Sequence, residues 1–495
     1  LLAAGRPGDA ATLAGQVAPT ADPAARDYAL GSVALVGGRL DEAARQLDNA
    51  WAHAGPDPRI AAAVSGRQAM AALVRGRGAD AVTWAERALG AAPYGELVSF
   101  ARLAGLGLAG RGEEGLTLTA ELPAPGQGTA ADLDALLGRG MLRMWADDLS
   151  GAHDDLLGVL TAGADASAPF QLLVATALAQ AEYRLGRWDE AVAHAEIGAN
   201  AADDFGQEWL AGYAHAVAAL VPAARGEWEQ ALAHVRAARA ACRPDNVIAC
   251  VSTACADALL AAARGDHEAA AAALMPLTRT CPGERPAVVL WRALLADALV
   301  NTGRPEEAEA ALVPLELSAL DGERRSLLAV AARSRAGLHA ARHEPLEAET
   351  AYQVALEHSA KIEMPFEEAR IRLAYGTFLR RRGRRAAAAE QLESAQLTLS
   401  RLGALPYLEQ CDLELAASGR AVLRPQDTAR LGLTPQEHTV AVLISRGLTN
   451  RQAARKLVLS VKTVEYHLSH IYTKLGITSR TALIGRLSDL GGSGQ

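Results

Sequence analysis

The stretch "GRWDEAVAHAEIGA", from Gly186 to Ala199, sets the pattern of most of this 495-residue chain. Glycine readily takes the left-handed conformation in which helices end. Two acidic residues follow it closely, and acidic side chains are favourable in the first turn of the next helix. Alanines at helical spacing then give that helix a face on which a neighbour can pack closely. The stretch therefore predicts the end of one helix, a tight turn and the start of a second.

The same pattern recurs along the chain. Clear copies begin at four further glycines and weaker copies at two more: Gly38, Gly226, Gly265 and Gly303, then Gly78 and Gly383. A copy without the glycine, "HEPLEAETAYQVAL", begins at His343. The starts at 186, 226, 265 and 303 are 40, 39 and 38 residues apart, so the period is close to 40. Each unit is a helical hairpin that cannot bury its apolar face alone, so we expect neighbours to stack into a solenoid.

The composition also indicates an all-α chain, because 50% of the residues are hydrophobic and only 4% are aromatic. Such a chain is rich in Ala and Leu, which favour helices, and poor in the residues that favour strands. From 23 to 418 the repeated glycine, acidic and alanine positions resemble the tetratricopeptide-repeat family, although the family's period is about 34. The resemblance implies a tetratricopeptide-like helical-repeat solenoid that binds an unknown effector or protein partner. We expect the tryptophans of the copies to fill helix interfaces: Trp84, Trp188 and Trp228.

The segment from 433 to 488 has a different texture and follows a turn-rich linker, 419–432. Thr434, Thr449 and Ser460 each stand where a helix N-cap is expected, and the first two are followed three residues later by Glu or Gln, as in a capping box. Four short helices separated by tight turns predict a four-helix, helix-turn-helix unit whose third helix enters the major groove of DNA. The segments 1–22 and 489–495 are expected to be a truncated N-terminal piece and a flexible tail.

The third helix of this unit, "SVKTVEYHLSHIYTKLG" from Ser460 to Gly476, has two distinct faces. At 100° per residue one apolar stripe contains five residues: Val461, Val464, Leu468, Ile471 and Leu475. Lys462, Tyr466 and Ser469 lie on the opposite face, with Glu465 on its flank. Lys, Tyr and Ser can bond phosphates or base edges, and Glu can accept from cytosine. Backbone N–H groups at the Ser460 end can meet a phosphate.

Charge is distributed unevenly between the two parts of the chain. Residues 431–487 contain eight Lys or Arg and only two acidic residues, Glu437 and Glu465, a net charge of +6. Since the whole chain carries −8, the remainder carries −14. This asymmetry is typical of a basic nucleic-acid-binding module on an acidic body.

The segment from Leu433 to Arg480 closely resembles the LuxR-type helix-turn-helix domain of bacterial transcription regulators. The residues that carry the resemblance stand at the entry, in the scaffold helix and on the third helix: Leu433, Thr434, Glu437, Gly447, Asn450, Ala454, Ser460, Thr463, Val464, His467, Leu468, Lys474, Leu475, Gly476 and Arg480. It implies that base edges are read from Glu465, Tyr466 and Ser469, with Lys462 nearby. It assigns positioning of the DNA backbone to a second set: Thr449, Asn450, Thr463, His467 and Lys474. It also implies a homodimer on paired half-sites, with a seam formed by Ala482, Leu483 and Leu487, and RNA polymerase as a further partner.

Helical repeats before a LuxR-type domain are the layout of the large ATP-binding regulators of that family. No G-x-x-x-x-G-K-[ST] motif occurs, so no cofactor is expected in this chain, and ATP would bind only to an ATPase domain preceding Leu1. The chain also has no HExxH motif, and we expect no enzyme activity. The alternative function is a protein-interaction scaffold with a vestigial DNA-binding domain.

The five cysteines show neither a CxxC pair nor histidines at zinc spacing. We therefore expect free thiols in a reducing, cytoplasmic setting. Without an apolar run of the ~18–20 residues that a membrane span needs, no membrane partner is expected.

Overall fold

The computed structural model describes residues 1–2, 6–16, 22–55, 57–92, 97–281, 291–321, 324–418, 433–445, 448–457 and 459–483. Within these ranges all regular structure is helical, which confirms the all-α prediction. The chain divides into two compact units, 1–364 and 365–495. The predicted linker 419–432 and tail 489–495 lie outside the described residues.

The first unit consists of helices in sequence: α1 Pro7–Gln16, α2 Pro23–Val36, α3 Leu40–His53, α4 Pro58–Val74, α5 Gly78–Ala91, α6 Val98–Leu108, α7 Gly112–Leu118, α8 Leu133–Trp145, α9 Leu149–Ala162, α10 Ala168–Leu185, α11 Trp188–Asp204, α12 Glu208–Ala218, α13 Leu220–Arg225, α14 Trp228–Ala241, α15 Val247–Ala263, α16 His267–Leu274, α17 Leu277–Thr280, α18 Trp291–Asn301, α19 Pro305–Asp321, α20 Arg325–Ala341 and α21 Pro345–Ser359. The second unit contains α22 Pro365–Arg381, α23 Arg385–Leu402, α24 Leu405–Ala417, α25 Pro435–Ser445, α26 Asn450–Leu457 and α27 Val461–Leu475. Residues 480–483 begin a further helix.

Within each helical hairpin the two helices are joined by a turn in which one residue has a positive φ. These residues follow one another at intervals of 34 to 40: Gly38, Gly76, Gly110, Asp147, Gly186, Gly226, Gly265, Gly303, His343 and Gly383. At Gly186 the turn is a Schellman motif, in which Arg187 N–H donates to the carbonyl of Glu182 at 2.9 Å. The copy without glycine uses His343 itself at φ 62°. The repeat prediction is thus confirmed, and the turns at Gly110 and Asp147 are two that it missed.

The copy assigned to Gly78 was placed two residues too late. Gly76 takes the left-handed conformation at φ 71°, whereas Gly78 is the first residue of α5. Gly78 is glycine for a different reason, since a Cβ there would lie 2.6 Å from the carbonyl oxygen of Gly105 on α6. The missing side chains allow α5 and α6 to approach closely.

Tryptophans occupy the helix interfaces of the repeats, as predicted. Trp188 is buried, stacks on Tyr183 with ring centroids 5.8 Å apart, and donates its indole N–H to the Tyr183 carbonyl at 3.1 Å. Trp84 and Trp228 are partly buried against alanine-rich hydrophobic clusters of the repeat region. Among the described residues, none of the helices combines the length and the apolar character that crossing a membrane requires.

The prediction that all cysteines are free thiols was wrong for one pair. Cys242 and Cys250 form a disulfide, with Cα atoms 5.5 Å apart. Cys242 ends α14 and Cys250 lies in the first turn of α15, so the short loop between the helices brings the two together. The remaining cysteines are buried thiols: Cys255, Cys281 and Cys411.

Candidate nucleic-acid interface

Two capping boxes fix the first helices of the C-terminal domain. Thr434 N–H donates to Glu437 Oε2 at 2.7 Å, and Glu437 N–H donates back to the Thr434 hydroxyl at 3.3 Å. Thr449 and Gln452 repeat the arrangement at the start of α26, with 2.8 and 3.3 Å. Each box satisfies two N–H groups that a helix leaves unpaired at its start. Both boxes were predicted, and both are present.

The third helix, α27, is capped at both ends. Ser460 Oγ accepts from Thr463 N–H at 3.0 Å, and the two hydroxyls lie 2.7 Å apart. At the other end Gly476 takes φ 63°, and its N–H bonds the carbonyls of the last turn. The hydroxyls of Ser460 and Thr463, both predicted to position the DNA backbone, are therefore already engaged in the cap. Backbone N–H groups at the start of a helix can also donate to a phosphate.

One face of α27 builds the core of the domain. Val464, Leu468 and Ile471 are buried together with Ala453 and Ala454 of α26 and with apolar residues of α25. Leu475 is partly buried against the same cluster. Val461 departs from the predicted stripe, because it is 39% exposed in the first turn, which projects beyond the core.

The opposite face of α27 is open. The four residues predicted to read bases are all exposed: Lys462, Glu465, Tyr466 and Ser469. The Tyr466 side chain is 60% exposed, and its ring centroid lies 4.4 Å from that of His470. His470, also exposed, was not among the predicted site residues, although its wheel position put it on this face. His467 is half-buried on the flank, with its ring 5.8 Å from that of Tyr466. Thr449 is exposed and Asn450 half-buried at the start of α26.

Lys474 has a partner inside the domain. Its ammonium lies 2.6 Å from Glu437 Oε2, joining the end of α27 to the start of α25. Burial by itself would raise the pKa of Glu437, but the hydrogen bonds from Lys474 and Thr434 outweigh it and hold that pKa below its ordinary value. The carboxylate is almost fully buried, so the ion pair belongs to the structure of the domain.

The last described helix is packed against the rest of its domain. Arg480 donates to the carbonyl of Leu448 and, at 3.4 Å, to that of Ile444, contacts that its sequence position did not indicate. Leu483, predicted for a dimer seam, is fully buried in the core of its own domain and is absent from the surface. Ala482 is half-buried, and Leu487 lies outside the described residues.

Comparison with known proteins identifies this domain. Residues 431–487 match the family model described as bacterial regulatory proteins, luxR family. Over 52 residues the chain is 48% identical to an HTH-type transcriptional regulator of Mycobacterium bovis, covering 10% of this chain and 6% of that protein. Over 77 residues it is 43% identical to the HTH-type transcriptional regulator GfsR of Streptomyces halstedii, covering 15% of this chain and 32% of that protein. The matched segment thus spans less than a third of either relative.

A large part of the chain is also similar to a solved structure. It shares 12% identity and a TM-score of 0.37 with a Rap protein complexed with competence and sporulation factor, over 72% of this chain and 99% of that chain. So distant a likeness says nothing of ligands or partners. What the sequence match shows is confined to the C-terminal domain: residues 431–487 belong to the luxR family of bacterial regulatory proteins.

Proposed function

We propose that this chain is a transcription regulator that reads promoter DNA through the exposed face of α27. The observation that supports this most strongly is the division of that helix into a buried stripe and an open polar face. A helix held by one side and presenting Lys462, Tyr466 and Ser469 on the other has the donors and acceptors that base edges require. The local charge of +6 adds the attraction to phosphates on which affinity for DNA depends.

Within this proposal the residues divide by role. Lys462, Glu465, Tyr466 and Ser469 contact base edges, and His470 supports the Tyr466 ring. The N–H groups at the start of α27, the start of α26 at Thr449 and Asn450, and His467 on the flank contact the DNA backbone. We assign Lys474 to the stability of the domain, because its ammonium already pairs with Glu437.

The further partners are also proposals. The protein binds paired half-sites as a homodimer, and since Leu483 is buried, the seam is left to Ala482 and Leu487. It acts in the cytoplasm together with RNA polymerase. The helical repeats bind an effector or a protein partner and mediate assembly. We assign no catalytic step and no cofactor to this chain.

A binding selection tests the proposal. Random duplex DNA is enriched on the full chain, and the selected sequence is compared with a scrambled one by gel shift over a series of salt concentrations. Regulation through α27 predicts a preferred sequence and an affinity that falls steeply with salt. Equal affinity for both duplexes at every salt concentration would contradict it and favour the scaffold, in which the terminal domain is vestigial.

A further inference from the structure

An open groove lies along α20, between α19 and α21, in the repeat region. Its volume is about 640 Å³. Small residues of α20 and α21 leave the space: Ala331, Ala332 and Ala351. Leucines stand at its edges with most of their surface in solvent, Leu320 at 67% and Leu346 at 76%. Burial of such surface is favourable, so the groove is suited to an apolar occupant.

The shape of the groove indicates an elongated occupant. On α21 the lining residues Leu346, Thr350, Val354 and His358 follow one another every four residues, so they form a ridge that is inclined to the helix axis. From the first to the last the row is about 18 Å long at 1.5 Å per residue. The groove is open on one side, so a row of side chains can enter it while the backbone that carries them stays outside.

The charged groups of the groove disfavour an anion. Arg335 donates to both oxygens of Glu316, at 2.8 and 2.6 Å, and to Glu309 at 2.6 Å. These carboxylates raise the pKa of Arg335, which stays protonated, and their negative charge balances its positive charge. Glu347 at the edge is exposed and has no ion-pair partner among the described residues. The imidazole of His339 is hydrogen-bonded through Nδ1 to the Glu344 carboxylate, so it offers no free cation either. The unbalanced charge is negative, which favours a basic occupant.

One buried polar atom at the end of the groove is also unsatisfied. His358 Nδ1 is buried and has no hydrogen-bond partner among the described residues. Burial lowers the pKa of His358 and so favours the neutral imidazole, which can accept or donate one hydrogen bond. An unpaired buried group is costly, so a ligand gains from satisfying His358 Nδ1 when the imidazole ring turns this atom toward the groove.

A second copy of the chain fits the apolar surface but not the charge. α19 exposes Val313 and Leu317 beside the groove, and such a ridge has the right spacing to enter a groove on another copy. The first turn of the same helix is acidic, however, with Glu306 and Glu307, so it brings no basic residue to face Glu347. A second copy therefore lacks the charge complementarity that the acidic edge favours.

We propose that the groove binds an amphipathic peptide helix that has apolar residues at i, i+4 and i+7 and a lysine or arginine beside them. The apolar side chains fill the space over the alanines, and the basic residue faces Glu347. The inference rests on the proposed function in that it gives the repeat region its partner site.

The test uses the full chain and a fluorescent peptide of about 12 residues made of leucine and lysine at this spacing. Binding is followed by anisotropy at about 0.15 M salt. A peptide with glutamate in place of lysine is the charge control. We expect Leu320→Ser and Leu346→Ser each to weaken binding of the basic peptide by about tenfold or more, and Glu347→Lys to weaken it further. Both leucines are exposed, so these variants keep the fold.

Leu413→Ser is the matched control, since Leu413 is equally exposed on α24, outside the groove, and its loss should change nothing. Unchanged affinity in the groove variants, or equal binding of the glutamate peptide, would overturn the inference. Binding of decylamine that the serine variants abolish, without peptide binding, would overturn it in favour of a small amphiphile. Gel shifts on the same preparations separate this from the proposed function, because DNA binding without peptide should be the same in all variants.

Discussion

Replacing Lys474 by methionine separates two roles for this residue. The family resemblance implies a contact with the DNA backbone, whereas the structure pairs its ammonium with Glu437 at 2.6 Å. Methionine keeps most of the apolar stem and removes the charge. If the ion pair is the main role, the variant destabilises the domain. If the phosphate contact is the main role, it weakens DNA binding and leaves the domain intact.

The structure sets the size of the effect. Loss of a hydrogen bond to a charged, buried group costs about 1.5–3 kcal/mol. The Lys474 side chain is 36% exposed, so solvent screens the pair and the ammonium is partly hydrated already. The two capping-box bonds between Thr434 and Glu437 also remain, and in one of them Thr434 N–H donates to the Glu437 carboxylate. We therefore expect a loss near the lower end, about 1.5 kcal/mol, or roughly tenfold in the opening equilibrium.

The pH dependence follows from the lowered pKa of Glu437. A carboxyl whose pKa is depressed by folding contributes stability above its unfolded pKa, and this is lost as the pH falls through the folded pKa. In Lys474→Met burial still opposes ionisation while one favourable hydrogen bond is gone, so the pKa of Glu437 is higher than in the native domain. The difference in stability is thus complete at neutral pH, begins to shrink as the pH falls through the pKa of Glu437 in the variant, and is lost as it falls through the lower pKa of Glu437 in the native domain.

Hydrogen exchange on the full chain measures the loss. Amides of α25 and α27 should exchange about tenfold faster in Lys474→Met at neutral pH, while amides of α2 to α5 serve as an internal standard. Lys462→Met is the matched control, because Lys462 is exposed on the same helix. It should leave exchange unchanged and weaken DNA binding. Unchanged exchange in Lys474→Met, together with a salt slope reduced by about one, would refute the structural role.

Three further predictions concern the same domain and the disulfide. Tyr466→Ala should change the sequence obtained in a binding selection, whereas an unchanged sequence would remove Tyr466 from base recognition. Ser460→Ala should cost about 1 kcal/mol of cap stability and speed exchange in the first turn of α27, with DNA affinity falling on all sequences alike. Alkylation of the denatured chain should label three cysteines without reductant and five with it, and five in both cases would show that Cys242 and Cys250 are unpaired.

The repeat architecture was predictable because a turn of defined backbone conformation recurs at a nearly constant interval. The hairpins that turn at Gly110 and Asp147 were not predicted, for two separate reasons. The turn at Gly110 is followed by "RGEEG", which lacks the alanines of the other copies. The turn at Asp147 has no glycine at all, since a short polar side chain tolerates the left-handed conformation. Gly76 and Gly78 both fit the sequence pattern of the turn. Which of them takes the left-handed conformation depends on how α5 packs against other helices, and this is not determined by the local sequence.

The disulfide likewise could not be predicted from local sequence. A spacing of eight residues between Cys242 and Cys250 does not determine the distance between them. The distance depends on where α14 ends and where α15 begins, and on the angle between the helices. The sequence between the two cysteines does not determine that angle.

Helical periodicity predicted the centres of the two faces of α27 better than their borders. Val464 and Ile471 at the centre of the apolar stripe are buried, and Tyr466 opposite them is exposed, because no reasonable docking of an amphipathic helix reverses these positions. At the borders between the two faces, the neighbouring helices determine which side chains are buried. Val461 extends past the end of the core and stays exposed, while Lys474 lies beside the start of α25, where Glu437 is buried. Two lysines on one helix therefore have different expected effects, and the difference comes from α25 and not from the sequence of α27.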